Sequence, residues 1–233
     1  SAGVALAWAV EATQKGLVSE KDTEVKLAFG DAAAFKRAMW LLGHKVNDFY
    51  AALGQGALVA ARQYGGGDFA CVLGQEMAGY ATGETYFASQ TVSFRHSHLD
   101  TGAYSYDQKH KEQDVDAVVK FLVDDERERV LLTCLVACLF AREVYKPEVV
   151  AAALSCLGHG ELAAGIDTAA ENARRARWRL KLATGYDPLA TRIPKRFAEI
   201  ETWKGPVDAA YMEALRAGYA AAVLSLGAPL PSA

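Results

Sequence analysis

No run of this 233-residue sequence is apolar over the ~20 residues that a membrane helix needs. The longest, Val130 to Ala141, is too short and is closely flanked by charge, so a buried core helix is expected there and no membrane association. Excess positive charge is also lacking: 25 Lys and Arg stand against 28 Asp and Glu, a net charge of -3, which argues against a nucleic-acid binder. Disorder is excluded by the 52% hydrophobic composition. The N-terminus has no basic segment of the kind that opens a signal peptide. It also has no initiator Met and runs straight into a helical pattern, from which a preceding segment is expected. The four cysteines, Cys71, Cys134, Cys138 and Cys156, are therefore expected in a reducing cytoplasm as free thiols or metal ligands rather than disulfides.

Strand signals are nearly absent, and helical periodicity fills most of the chain. Ser1 can cap a first helix carrying Val4, Trp8 and Leu17, with Gly16 near its end. Asp31 opens a second that Gly43 closes, and Asn47 or Asp48 opens a third reaching Tyr64, before Gly65-Gly66-Gly67. Residues 68–107 are rich in Gly, Tyr, Ser and Thr, and short helices joined by packed loops are expected. Further helices are predicted over 114–123, 126–142, 147–157, 167–185 and 206–226, the third with Pro147 in its first turn. The fold class is all-α: a multi-helix globular region with an irregular, loop-rich middle and little or no sheet. No repeat or linker divides it, and only a soft subdivision near 108 is expected.

Four groups of residues stand out as candidates for chemistry. Cys134 and Cys138 are spaced to share one helix face, where soft thiolates would suit zinc or an iron–sulfur cluster. Free cysteines are more often buried as small hydrophobes, and that alternative stands beside it. A site gathering all four cysteines is a weaker third option. His96, His98 and Asp100, within Ser93 to Tyr104, could form a metal site or a general acid/base with its orienting carboxylate. Equally, the polar side chains could satisfy the backbone of an irregular loop. The glycines of Leu73 to Glu84 suit tight turns, since no strand precedes them and no Gly-Lys-Ser follows. Arg174, Arg175, Arg177 and Arg179 with Glu171 are expected to form a solvated, ion-paired helix face.

Read in order, these segments resemble the C-terminal helical region of the tungsten-containing aldehyde:ferredoxin oxidoreductase family. The start, from Ser1-Ala-Gly-Val through Lys15-Gly-Leu, is similar to the helix that follows the family's first pterin-binding motif. Leu27-Ala-Phe-Gly-Asp31 resembles its "WGD" element, and Leu53-Gly-Gln-Gly-Ala-Leu-Val-Ala-Ala61 its "LAEGV..AA" helix. Val72 to Met77 is similar to "VKGxE", Ser93 to Leu99 to "SxRGxxH", and Leu135 to Phe140 to "LxxCxF". Thr184-Gly-Tyr with Ile193-Pro-Lys-Arg-Phe197 resembles "REGF…LPxRF".

The resemblance implies a part of an oxidoreductase that converts aldehydes to acids. The intact family enzyme uses a tungstopterin (or molybdopterin) and a 4Fe–4S cluster, and passes electrons to a ferredoxin-type acceptor. An upstream β-rich cofactor domain or subunit is the implied partner, and the chain alone is expected to bind neither cofactor and to be inactive. A homo-oligomer is left open. By position, Cys138 matches the fourth cluster cysteine, and His98 the histidine near the metal that helps proton transfer. Thr133 stands where the second pterin motif, Asp-x-x-Gly-Leu-Cys, has its aspartate, Leu73 replaces the Lys of "VKG", and His96 replaces the Gly after Arg95. A threonine supplies no charged acceptor for the pterin amino groups. These departures leave a second reading, a degenerate, non-catalytic helical interaction or scaffold module.

Overall fold

The computed structural model of the chain describes residues 2–69, 71–72 and 75–228. It divides into two compact units, one of Ser1–Gly79 with Pro194–Ile200, the other of Tyr80–Ile193 with Glu201–Ala233. As the sequence predicts, the described residues are mostly helical, and their strands form only two short antiparallel pairs.

The first unit is built on α1 (Ala2–Gln14), α2 (Glu20–Thr23), α3 (Ala32–His44), α4 (Asp48–Leu53) and α5 (Ala57–Tyr64). A hairpin of β1 (Cys71–Val72) and β2 (Gln75–Glu76) follows, with Cys71 opposite Glu76. Helix α1 buries Ala5, Leu6, Trp8, Ala9, Val10 and Ala12, and its small side chains let α3 and α5 approach closely. The Trp8 indole donates to the Gly66 carbonyl at 3.0 Å, so the ring is buried without an orphaned N–H. Asp31 caps α3 by accepting from the Ala34 amide at 2.9 Å, as its position in the sequence implies. The expected cap at Ser1 lies outside the described residues.

Asn47 caps α4, but the single helix expected to reach Tyr64 is two. Gly54-Gln55-Gly56 interrupts it, with Gly56 at φ 115°, and the Glu76 carboxylate caps the restart by accepting from Ala57 N at 3.1 Å.

In the second unit, α6 (Glu84–Val92) is buried on every side. Around it stand α7 (Ala103–Lys109), α8 (Val115–Cys134), α9 (Pro147–Cys156), α10 (Gly160–Ala164) and α11 (Ile166–Ala183). The short α12 (Lys195–Ala198) belongs to the first unit, where Arg196 pairs with Glu11. The hairpin of β3 (Glu201–Thr202) and β4 (Gly205–Pro206) and the last helix, α13 (Ala209–Gly227), complete the second unit. Helix α13 packs on α6, α8 and α11 and buries Leu215, Tyr219, Ala220 and Val223.

Two predicted helices, 114–123 and 126–142, are one helix that stops at Cys134. The apolar run from Val130 to Ala141 is therefore not a continuous core helix. Val130, Leu131 and Leu132 are buried, but Val136 and Phe140 are 92% and 94% exposed. Among the described residues no helix is long and apolar enough to cross a membrane.

Candidate functional site

The site is built around the loop that leaves α6. Asp100 is buried and organises it, its carboxylate accepting from Ser93 Oγ at 3.0 Å, Arg95 N at 2.7 Å, Arg95 Nε at 2.7 Å and Ser97 N at 3.3 Å. These bonds let the chain reverse direction without burying unpaired amides. Asp125, on α8, fixes the next stretch by accepting from Gly102 N at 2.6 Å and from Arg129 Nε at 2.6 Å. Arg129 in turn donates to the Leu99 carbonyl at 3.3 Å.

His96 turns inward from this loop. Its Nδ1 lies 3.0 Å from the Thr91 carbonyl and 3.3 Å from that of Gln90. Both are acceptors, so Nδ1 carries the proton and Nε2 accepts from Lys181 Nζ at 3.0 Å. Burial, then the Lys181 charge, lowers the imidazole pKa to about 4, so it stays neutral at physiological pH. Lys181 also donates to the Phe94 carbonyl at 2.7 Å and lies 3.9 Å from the centre of the Tyr186 ring. Burial brings its pKa down to about 8, against the opposing pull of Asp100 and Glu126.

Behind the loop, Glu126 is buried on α8 and its carboxylate accepts from the Trp178 indole at 3.0 and 3.1 Å. Burial raises its pKa to about 7, with the Trp178 bond and the charge of Arg174 opposing the shift. The folded state therefore holds a proton between pH 4.5 and 7 that the unfolded chain releases, and stability from this group falls as pH rises through that window. His96 acts in the opposite sense, its contribution lost as pH falls from 6.5 towards 4. Glu126→Gln is thus expected to gain stability relative to wild type between pH 5 and 8, by up to ~3 kcal/mol. Urea titrations at several pH values check this, and a pH-independent difference contradicts it.

The second element of the site is the segment past the end of α8. Thr133 Oγ1 donates to the Arg129 carbonyl at 2.9 Å. Val136 then adopts φ 55°, a left-handed conformation that is rare for a β-branched residue. Val136 stands where the Asp-x-x-Gly-Leu-Cys pattern has glycine, and His96, at φ 54°, stands where "SxRGxxH" has its own. Both backbones keep a conformation that suits the glycine the side chain has replaced. Val136→Gly is expected to raise stability by ~0.5–1 kcal/mol, the strain released outweighing the added freedom of the unfolded chain. A thermal midpoint that rises with the substitution supports this, and one that falls contradicts it.

The Thr133 region meets the loop after α6. Arg95 and Leu99 from that loop share a cavity of about 100 Å³ with Arg129, Leu132, Thr133, Ala137 and Leu139. Cys138 lies past the helix end and is exposed, as are Cys134 and Cys156. Neither a shared helix face for Cys134 and Cys138 nor a place for them in the core is found, because α8 ends between them. The side chain of Cys71 lies outside the described residues, as does Leu73. No three His, Cys, Asp or Glu side chains gather as a metal site among the described residues.

His98 is half-buried against Tyr80, with ring centres 5.2 Å apart. Burial, then the charge of Arg129, holds its pKa below the usual histidine range. Counted strictly along "SxRGxxH", Leu99 takes the histidine's place and His98 falls one residue short. Of the predicted polar cluster, Asp100 and His96 are spent on the loop backbone and on Lys181.

Lys181, Glu126, Trp178 and Arg129 were not singled out by sequence reasoning. A signal existed for Glu126, which continues the Val118, Leu122 stripe at helical spacing towards Val130 and so places a carboxylate on the buried face. The arginine-rich face of α11 is only partly solvated. Arg175 pairs with Glu171 at 2.6 Å, but Arg174 is buried, pairs with Glu171 and donates to the Val123 carbonyl at 2.6 Å.

The family model for aldehyde ferredoxin oxidoreductase, domains 2 & 3, matches residues 1–231, and the chain belongs to this family. No curated protein and no solved structure matches it. The chain is thus the counterpart of domains 2 and 3, the C-terminal region of that family.

Two cofactors are implied by the family. For an iron–sulfur cluster, the exposed Cys138 thiol has the chemistry of one ligand. For a pterin, Thr133 does not fit the role of the aspartate. It has no charge, and its hydroxyl proton is committed to a helix carbonyl.

Proposed function

We propose that this chain forms the helical cover of an aldehyde-oxidising tungsto- or molybdopterin and iron–sulfur oxidoreductase, completed by an upstream β-rich domain. The observation that carries the reading is the segment Thr133–Cys138. It keeps a left-handed residue at the motif's glycine position and leaves the Cys138 thiol in solvent beside the exposed apolar side chains of Val136 and Phe140. Apolar side chains so exposed next to a soft ligand suit a face that another domain covers.

In this reading Cys138 would be one thiolate ligand of a 4Fe–4S cluster, which would supply one-electron transfer towards a ferredoxin-type acceptor. His98, its pKa held below the usual histidine range, serves as a proton acceptor. Thr133 would not hold a pterin by charge, so the pterin amino groups would need another acceptor. Co-expression with an upstream cysteine-bearing region is expected to give a complex containing iron, tungsten or molybdenum, and pterin. A complex without metal and without pterin overturns the reading.

The loss of the aspartate at Thr133 favours a second reading, a helical module that has kept the fold and lost the chemistry. It predicts a stable complex with a partner domain, free of pterin and unaltered by Cys138→Ser.

A further inference from the structure

The small cavity between the loop after α6 and the end of α8 is lined by two arginines and by Thr133, which stands where the family motif has an aspartate. Arg95, Arg129 and Thr133 are the polar residues of its lining, and no acidic residue lines it. The neighbouring acids are already engaged: Asp100 holds Arg95 through Nε, and Asp125 holds Arg129 through Nε. Asp100 also accepts from Ser93 Oγ and two loop amides, and Asp125 from the Gly102 amide. The two terminal nitrogens of Arg95 meet no acceptor among the described residues, so its outer edge is available to an anion. The remaining walls, Leu99, Leu132, Ala137 and Leu139, are apolar.

We propose that this cavity binds a small aliphatic carboxylate, with its two oxygens on the Arg95 fork and its alkyl chain against the leucines. A planar carboxylate matches a guanidinium edge with two parallel hydrogen bonds. A volume of about 100 Å³ suits a chain of a few carbons. Sulfate or phosphate fits less well, because a dianion would lose its water to four apolar walls. Thr133 is what permits the site, since the aspartate of the family motif at this position would set a negative charge beside the bound anion. The site stands independently of the oxidoreductase reading, because it needs neither metal nor pterin.

The test is an equilibrium titration of the purified chain with sodium butyrate, with butyramide as its neutral isostere. Saturable binding of butyrate and none of butyramide is expected. Arg95→Gln and Thr133→Asp are each expected to weaken it by at least about tenfold, the first by removing the fork and the second by adding repulsion. Arg62→Gln, in the other unit, is expected to leave it unchanged. Thr133 is exposed and makes one side-chain bond, so Thr133→Asp remains informative should Arg95→Gln disturb the loop. Equal binding of butyramide, no saturable binding of butyrate, or unaltered affinity in Thr133→Asp overturns the proposal.

Discussion

Replacing Trp178 by alanine is expected to destabilise the second unit by about 4 kcal/mol. Its ring is fully buried on α11 and meets Phe94 edge-on, with ring centres 5.3 Å apart. Its indole N–H is also the donor held by the buried Glu126 carboxylate. Alanine therefore removes a large apolar surface, leaves a cavity, and strips a buried acid of its hydrogen bond. Trp178→Phe separates these effects: most of the ring volume stays and the donor goes, for an expected cost of about 1–2 kcal/mol. Urea titration followed by far-UV circular dichroism gives both values. If phenylalanine costs as much as alanine, the hydrogen bond outweighs the packing and the account of this core is wrong.

Asp100→Ala is expected to cost about 3 kcal/mol and to lower the thermal midpoint by roughly 10 °C. A single buried carboxylate accepts from one hydroxyl, two backbone amides and one guanidinium across Ser93–Asp100. Alanine leaves all four donors without their acceptor, and the buried Ser93 hydroxyl has no route to water. Asp100→Asn retains one acceptor oxygen and is expected to lose about half as much. Hydrogen exchange at the Arg95 and Ser97 amides reports the loop directly: in the alanine variant both should exchange much faster while the amides of α13 keep their protection. Uniform loss of protection over the unit points instead to general unfolding.

The helical class was legible in the sequence because caps and apolar spacing act locally. Asp31, Asn47 and Pro147 each mark a helix start that the structure keeps. Helix α6 was not legible as a core element. All nine of its residues are buried, so Glu84, Thr85, Ser89, Gln90 and Thr91 interrupt any apolar stripe. Two of them find partners in distant parts of the chain, Glu84 accepting from Asp208 N at 2.9 Å and Ser89 meeting Thr101 at 2.7 Å, while Thr91 bonds the Phe87 carbonyl within the helix. The end of α8 misled for the converse reason. Val130 to Ala141 has the composition of a buried helix, yet the chain turns out of helix after Cys134 through a left-handed valine.

The site was half visible. The dense polar run Ser93 to Tyr104 drew attention to Asp100 and His96, and both are structurally committed. Lys181, which meets His96, is 85 residues further along the chain, and no spacing rule reaches that far. The arginine pair beside Thr133 was hidden for the same reason, because Arg95 and Arg129 meet only once the loop after α6 packs against α8.

Cys138 is proposed above as one ligand of a cluster completed by another domain. The most direct measurement of that role is the iron content and the electron paramagnetic resonance signal of the reduced complex, wild type against Cys138→Ser, with Cys134→Ser as the control. Full iron and a cluster signal in wild type and in Cys134→Ser, with both lost or altered in Cys138→Ser, is the predicted result. An identical signal and iron content in Cys138→Ser contradicts it.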